Sequence, residues 1–526
     1  MDIGEPRARG VAARRSLSAG APEALNVAPD RPVTTPPQPA ARGHGGPFGL
    51  LLLGYVVLWT LLPALAFRAV PLDVAENLLW GREWPLGTYK HPPLQAWLAW
   101  SADVALGHAG VYLLSALCLA ATAVCVERFG RDLGDAGAGR RGALLLLCTW
   151  YATVPVPEFN ANVVQMPIWA FAGLALRRAL DRGGLGWWVA LGLALAAALH
   201  AKYSVIFLVV GLAAALVVHP NGWRSLTRPG PWLAGVLAVA VSVPHLRWLV
   251  ASDFQPLVYA AGRSETVAGA AVVLAPLKFL AAQALDLAPV AVLLAIAGVS
   301  RRERRPDAGL IALAFAPLAA MALYGLAMGV GLRDMWGAPA IVFVPLAAAA
   351  AATPPRRPGR LASAWMALTV AVPVVVAAIS LFGPIAGLKP QKTAWPAAAI
   401  AAELDAAWVD ALGADAVGGA PRIVAGNTWI AGLVVAEHDA GTSGFVDADY
   451  ARNPWITPER VERDGVLFVR TDDGEAPPSW WGPFAATGTI EVPFSPGDGR
   501  SVRLAYAIRA PGTPAPVIPE GSPVTP

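Results

Sequence analysis

The almost wholly apolar run at 48–70 opens into Pro71-Leu72-Asp73-Val-Ala-Glu76, and then into Tyr89-Lys90-His91-Pro92-Pro93-Leu94 and Trp97. The first part is long enough to cross a bilayer. The second places two acids, a lysine, a histidine and a rigid Pro-Pro pair just where the chain leaves the hydrocarbon. Charge beside a membrane is costly, and where it persists it marks a functional site. The whole chain agrees with a membrane reading. Of its 526 residues 56% are hydrophobic and 14% charged, with a mean hydropathy of +0.51. That is too apolar for a soluble domain.

Further bilayer-length runs follow at 109–127, 141–157, 160–180, 186–201, 203–219, 231–250, 280–300, 308–328, 337–352 and 362–383, so about 11 spans are expected with the first. Orientation comes from arginine. Arg128, Arg131, Arg140 and Arg141 share one connection, and Arg177, Arg178 and Arg182 the next alternate one. Arg224 and Arg228, then Arg301, Arg302, Arg304 and Arg305, then Arg356, Arg357 and Arg360 continue the series. All fall on one side if the N-terminus is cytoplasmic. The loop 73–93, the loops 251–279 and 329–336, and the C-terminal region then lie together on the far side. The apolar segments 92–107 and 268–280 are short; they either lie along the membrane face or extend the spans beside them.

The domains expected are a disordered cytoplasmic tail at 1–47, a membrane domain at 48–387, a small extracytoplasmic α/β domain at 388–510 and a disordered tail at 511–526. In the first tail Arg7, Arg9, Arg14 and Arg15 read as solvated charge, or as a contact with anionic headgroups. In the α/β domain Ala397–Leu412 has helical spacing, and Arg422–Ala425, Val466–Val469 and Val502–Ile508 read as strands between turn signals. The three cysteines, Cys118, Cys125 and Cys148, fall in apolar runs and imply no disulfide framework. The formal charge of +4 singles out no partner, and no nucleic acid is expected.

Asp73 and Glu76 at i, i+3 share a face if they lie on a helix. One carboxylate can then act as a general base while the other holds a hydroxyl or tunes its neighbour. The plainer role for Asp73 is a helix N-cap after Pro71. Lys90 is a mobile cation suited to phosphate, and Pro92-Pro93 fixes the backbone that presents it. Lys202, at a break between two apolar halves, either meets a phosphate or snorkels to a headgroup. Arg263 and Arg333 carry the same pair of readings. Tyr259, Trp336 and Trp84 are candidates for stacking on a sugar; Tyr203 and His245 read as packing. Seven histidines without ligand spacing indicate no metal site, and no cofactor is expected. No Walker loop or GxGxxG follows a strand, which argues against a nucleotide-sugar donor in a Rossmann domain.

Asp73-x-x-Glu76, Tyr89-x-His91-Pro-Pro-Leu94 and Trp97 resemble the bacterial dolichyl-phosphate-mannose–protein mannosyltransferase-like membrane glycosyltransferases. That group has a GT-C fold and includes relatives that add aminoarabinose or other sugars to lipid A. Asn160-Ala-Asn162 through Trp169, Leu199-His-Ala-Lys202-Tyr203 and Arg333-Asp-Met-Trp336-Gly-Ala-Pro339 resemble later elements of the group. Trp395-Pro396, Val424-Ala-Gly426-Asn-Thr-Trp429 and Asn453-Pro454-Trp455 look like the appended domain of one subset. The resemblance implies an inverting transfer from a polyprenyl-phosphate sugar to an acceptor hydroxyl on a glycan, lipid or protein. By position, Asp73 would be the base and Glu76 would assist it or bind acceptor. Lys90 and His91 would meet the donor phosphate, with Tyr89, Lys202, Arg263, Arg333 and Trp336 as further substrate contacts. A transporter or flippase of lipid-linked sugars is the alternative. It places ionisable groups at mid-span, whereas here the acids gather in one outer loop.

Overall fold

The computed structural model describes residues 46–515 except 265, 304, 414–418, 473–480 and 495–498. The four N-terminal arginines, Arg304 and nearly all of both expected tails lie outside the described residues.

Helix α1 (Gly46–Ala66) is the first full-length apolar helix. Pro71 then opens the ten-residue α2 (Leu72–Gly81). After an irregular loop, Pro93 precedes α3 (Leu94–Leu106), which stops at Gly107, φ +63°, before α4 (His108–Asp132). Segment 92–107 is therefore a helix of its own, packed between α2 and α4. Gly81 makes the α2–α3 approach possible, since a Cβ there would sit 2.2 Å from the Ala96 carbonyl oxygen.

The run 141–157 is not a full span. Helix α5 (Ala136–Leu146) has 11 residues, and at about 1.5 Å per residue it covers roughly half of a hydrocarbon core. Beyond it Thr149 and Thr153 turn their hydroxyls onto the carbonyls of Leu146 and Trp150, each at 2.8 Å. Pro155 and Pro157 then prevent the helix from resuming. The chain goes on through α6 (Ala161–Arg182), α7 (Leu185–Ala201), α8 (Val205–Val218), the one-turn α9 (Gly222–Ser225), α10 (Pro229–Ala251) and α11 (Gln255–Arg263). Helices α12 (Ala271–Asp286) and α13 (Ala288–Ile296) run on as one 26-residue apolar stretch. Of the two readings of 268–280, the one that extends a span holds. After α14 (Ala308–Met328) the expected span at 337–352 is a 3-10 segment, Asp334–Ile341, joined to α15 (Val344–Ala351) at a bend of 52°. Helix α16 (Pro358–Phe382) follows. Among the described residues six helices are long and apolar enough to cross a bilayer, or seven with the bent pair.

The arginine-bearing loops meet at one end of the bundle. Arg178 and Arg182 both reach Asp132 at 2.6 Å, Arg177 reaches Asp307 at 2.9 Å, and Arg302 reaches Asp135 at 2.6 Å. The Arg357 N–H bonds the Ala297 carbonyl at 3.0 Å. The C-terminal sheet docks on α2. Helix α17 (Ala397–Leu412) precedes β1 (Ile423–Gly426), α18 (Thr428–Ala436), β2 (Ser443–Val446), α19 (Pro458–Asp464), β3 (Val466–Thr471), β4 (Ala486–Pro493) and β5 (Ser501–Arg509). The sheet order is β2-β1-β3-β5-β4, parallel at β2-β1-β3 and antiparallel at β3-β5-β4. Of the expected elements α17, β1, β3 and β5 are present; β2 and β4 are additional. Arg82, at the end of α2, fastens the sheet. Its guanidinium donates to the carbonyls of Val435 and Asp439 at 2.8 Å and of Thr442 at 2.6 Å, while stacking over Trp100. At the end of α18 it adds a second donor to the Val435 carbonyl, which already accepts from the His438 N–H at 3.2 Å.

Candidate active site at the start of α2

Asp73 is the second residue of α2, and the N-cap position belongs to Pro71, which has no side-chain cap. The N-cap role considered for Asp73 is therefore not the one it has. Backbone N–H groups in a first helical turn have no partner within the helix, and that of Asp73 donates to Glu158 Oε1 at 2.6 Å. Asp73 Oδ2 accepts from Asn160 Nδ2 at 2.8 Å. Asn160 is the N-cap of α6, its Oδ1 accepting from the N–H groups of Asn162 at 2.9 Å and Val163 at 3.3 Å. Its amide oxygen is committed to the helix end, so its nitrogen is what faces Asp73. Among the described residues Oδ1 of Asp73 accepts no hydrogen bond, and the carboxylate is half-buried. It sits at the positive end of α2, which suits an anion.

Glu76 lies one turn on, 4% exposed, and forms an ion pair with Lys90. Lys90 is presented by a tight turn in which Thr88 Oγ1 accepts from the backbone N–H of Lys90 at 3.3 Å and of His91 at 3.0 Å. The Lys90 ammonium also sits 5.7 Å from the centre of the Tyr259 ring, and Arg263 covers the same ring at 6.0 Å. Tyr89 meets Tyr259 edge-on at 5.6 Å and its hydroxyl reaches Thr428 at 3.3 Å. Lys202, at the break between α7 and α8, donates to Asn162 Oδ1 at 2.6 Å and lies 5.8 Å over the Trp336 ring. It is within electrostatic reach of both Asp73 and His91. The structure thus gathers Asp73, Glu76, Tyr89, Lys90, His91, Lys202, Arg263 and Trp336 from five separate parts of the chain. Arg333 heads the 3-10 segment that carries Trp336, its Nε buried without a hydrogen-bond partner.

The comparisons with known proteins bear on this arrangement. Residues 90–248 match the family profile of dolichyl-phosphate-mannose-protein mannosyltransferase. The match covers Lys90 and Lys202 and leaves Asp73, Arg263 and Trp336 outside. A lipid A galacturonosyltransferase of Rhizobium johnstonii is 29% identical over 211 residues, 39% of this chain and 44% of that one. The matched region thus spans less than half the length of that relative. The crystal structure of ArnT from Cupriavidus metallidurans bound to undecaprenyl phosphate aligns over 88% of this chain and 98% of that one, with a TM-score of 0.54 at 15% identity. The chain therefore has the fold of that ArnT structure.

Electrostatics at this site separate the acids. Burial pushes Glu76 up to about 7, against the pull of Lys90 and with the help of the Asp73 charge. Burial and the Asp73 charge also hold the Glu158 carboxyl well above its usual range. Burial lowers the Lys90 ammonium, but the Glu76 charge and hydrogen bond outweigh it, so its pKa lies above the usual lysine range. His91 is held well below its usual range by burial, then by Lys202 and Lys90. It is a neutral imidazole, so the positive charge at the site comes from its neighbours Lys90 and Lys202. His245 donates from Nδ1 to the Leu86 carbonyl at 2.7 Å, so its Nε2 accepts from Tyr203 at 3.2 Å. Both fit the packing role read for them.

Sequence reading of the site missed Glu158 and Lys392. Glu158 was hidden at the end of the run 141–157, although a lone acid between two apolar runs is the same signal that exposed Asp73. Lys392 follows α16 on the way to the sheet, stacks over Trp429 at 4.9 Å and is within electrostatic reach of Glu158 and Asp73.

Proposed function

We propose that this protein moves a sugar from a polyprenyl-phosphate donor to an acceptor hydroxyl at the outer face of a bacterial inner membrane, with inversion at the anomeric carbon. One observation carries the reading. Asp73 has a fixed carboxylate, one oxygen tied to Asn160 and the other left for a substrate, beside a set of cations grouped on aromatic rings. The acceptor hydroxyl gives its proton to Asp73 as its oxygen bonds the anomeric carbon. The bond from that carbon to the phosphate oxygen breaks, and its electron pair leaves with the polyprenyl phosphate. Lys90, Lys202 and Arg263 stabilise that anion as it forms, while Tyr89, Tyr259 and Trp336 wall the space the sugar occupies. Arg333 stands behind Trp336 as a further phosphate contact.

Glu76 takes a different part from the one expected of it. Buried and paired with Lys90, it positions that cation and does not meet the acceptor. Glu158 fits better as the second carboxylate at the acceptor, since it holds the Asp73 backbone. The outer face follows from the arginine loops, which lie at the other end of the bundle. Similarity to a lipid A galacturonosyltransferase and to an ArnT bound to undecaprenyl phosphate supports a lipid-linked donor and a lipid A-type acceptor. Deleting the gene and profiling the envelope by mass spectrometry tests the reading. One polyprenyl-phosphate sugar should accumulate as one glycan or glycolipid loses a sugar; an unchanged envelope would refute it.

A further inference from the structure

At the arginine end of the bundle, opposite Asp73, a cavity of about 420 Å³ lies where α6 ends and α7 and α10 begin. Arg182, Arg224 and Arg228 line it, and Trp188 packs on Gly230 in its wall. Asp181 is the one carboxylate among the lining residues, and Arg177 and His219 already hold it, at 2.5 and 3.0 Å. Arg182 is shared with Asp132 at 2.6 Å. Arg224 and Arg228 are exposed, and among the described residues neither guanidinium has a hydrogen bond or an ion pair. Helices α7 and α10 start here, after Gly184 and Arg228, and no side chain caps either one. Their first turns add backbone N–H groups without helical partners and the positive ends of two dipoles. The start of α10 also borders a second cavity, of about 610 Å³, lined by apolar residues such as Leu226, Trp232, Val236 and Val239. It follows one face of α10 from Pro231 to Ala240, about 14 Å at the helical rise. Trp232 is exposed, its indole N–H bonded to the Leu226 carbonyl at 3.0 Å, and it stands where an interfacial aromatic would.

We infer that these two cavities hold one anionic phospholipid of the leaflet at this end, its phosphate on Arg224 and Arg228 and an acyl chain along α10 beside Trp232. The site is separate from the transfer chemistry and shares no residue with the set around Asp73. Charge decides the headgroup. Two guanidiniums without partners leave the first cavity positive, which suits a phosphate with no cation of its own and opposes the ammonium of a zwitterionic head. The bias of arginines to one side of a membrane accounts for their being at this end. It does not account for a cavity between three helices onto which two unpaired guanidiniums and two uncapped helix starts converge. A lipid bound there ties together the ends of α6, α7 and α10. Towards the other ends of those helices lie Asn160, Lys202 and His245.

Native mass spectrometry of the purified full-length protein tests this, with dioleoylphosphatidylglycerol and dioleoylphosphatidylcholine as probes. The wild type should retain one phosphatidylglycerol in preference to phosphatidylcholine. Arg224→Gln with Arg228→Gln should weaken phosphatidylglycerol about tenfold or more and leave phosphatidylcholine unchanged, while Lys at both positions should keep most of the affinity. Gly235→Phe places a ring in open space along the groove and should weaken phosphatidylglycerol without changing any charge. Arg356→Gln with Arg360→Gln removes two exposed arginines outside both cavities and should change nothing. The inference is overturned if the wild type shows no preference for phosphatidylglycerol, or if the 224/228 pair of substitutions leaves its binding as tight. It is also overturned if the 356/360 pair weakens it as much, which would mark general surface charge, or if Gly235→Phe has no effect, which would remove the acyl chain from α10. Displacement of the lipid by an equal concentration of glycerol 3-phosphate would overturn it too, since the site would then belong to a soluble phosphate.

Discussion

At the scale of single residues the proposed chemistry hangs on Asp73 and what fixes it. Asp73→Asn keeps the shape and the Asn160 contact but removes the base. Transfer by purified protein should fall by about 10² or more, with the amount of folded protein unchanged on size exclusion. Asn160→Ala removes both the α6 cap and the Asp73 contact. A cap is worth about 1 kcal/mol, so the melting temperature should drop slightly while transfer drops much further. The pH dependence has a definite sign. Glu76 titrates at about 7 when folded, above its ordinary 4.5. Below 7 it is mostly neutral and leaves the Lys90 charge to a ligand; above 7 it is ionised and claims that charge. Wild-type affinity for undecaprenyl phosphate should therefore fall as pH rises through about 7. The phosphate's own second ionisation, near ~6, acts in the opposite direction. Glu76→Gln should lose the fall, and titration calorimetry across that window reads the difference. Asp73 and Lys90 were legible in sequence because each is a charge stranded beside hydrocarbon. Glu158 carries the same local signal, but its link to Asp73 is a contact 85 residues back along the chain, which no local pattern records.

At the scale of elements, hydropathy gave the helices and misjudged their interruptions. The run 141–157 looks uniform, yet two threonines and two prolines convert half of it into the buried turn that delivers Glu158. Strand β2 is four residues long, Ser443-Gly-Phe-Val446, too short to show an alternation. It exists because β1 pairs along its full length and because Gly444 lets Leu79 of α2 pack on it. A Cβ at 444 would lie 2.4 Å from Leu79 Cγ, and Leu79 is fully buried. Gly444→Val should overpack this contact at a cost of about 1–3 kcal/mol. It should loosen the sheet from α2, seen as a lower melting temperature and faster proteolysis after residue 388. An unchanged melting temperature would mean that the sheet is not held by this contact.

At the scale of the molecule, the arginine loops join in ion pairs at one end and the acids, cations and sheet gather at the other. The arginines of five loops were enough to read that polarity from the sequence. The convergence of five distant segments on one aromatic-lined site was not readable, because it depends on how the helices pack. Single cysteines at Arg356 and Ala440, in a background without Cys118, Cys125 and Cys148, should label from opposite sides of intact inner-membrane vesicles. Labelling from the same side would break the topology. The central claim is that an outward-facing Asp73 takes the acceptor's proton as the polyprenyl phosphate leaves. Its most direct test returns the wild-type or the Asp73→Asn gene to the deletion strain and measures polyprenyl-phosphate sugars by mass spectrometry. With equal amounts of each protein in the membrane, the wild type should return the accumulated donor to its normal level and the variant should leave it as high as in the deletion. A variant that clears the donor as well as the wild type would contradict the account.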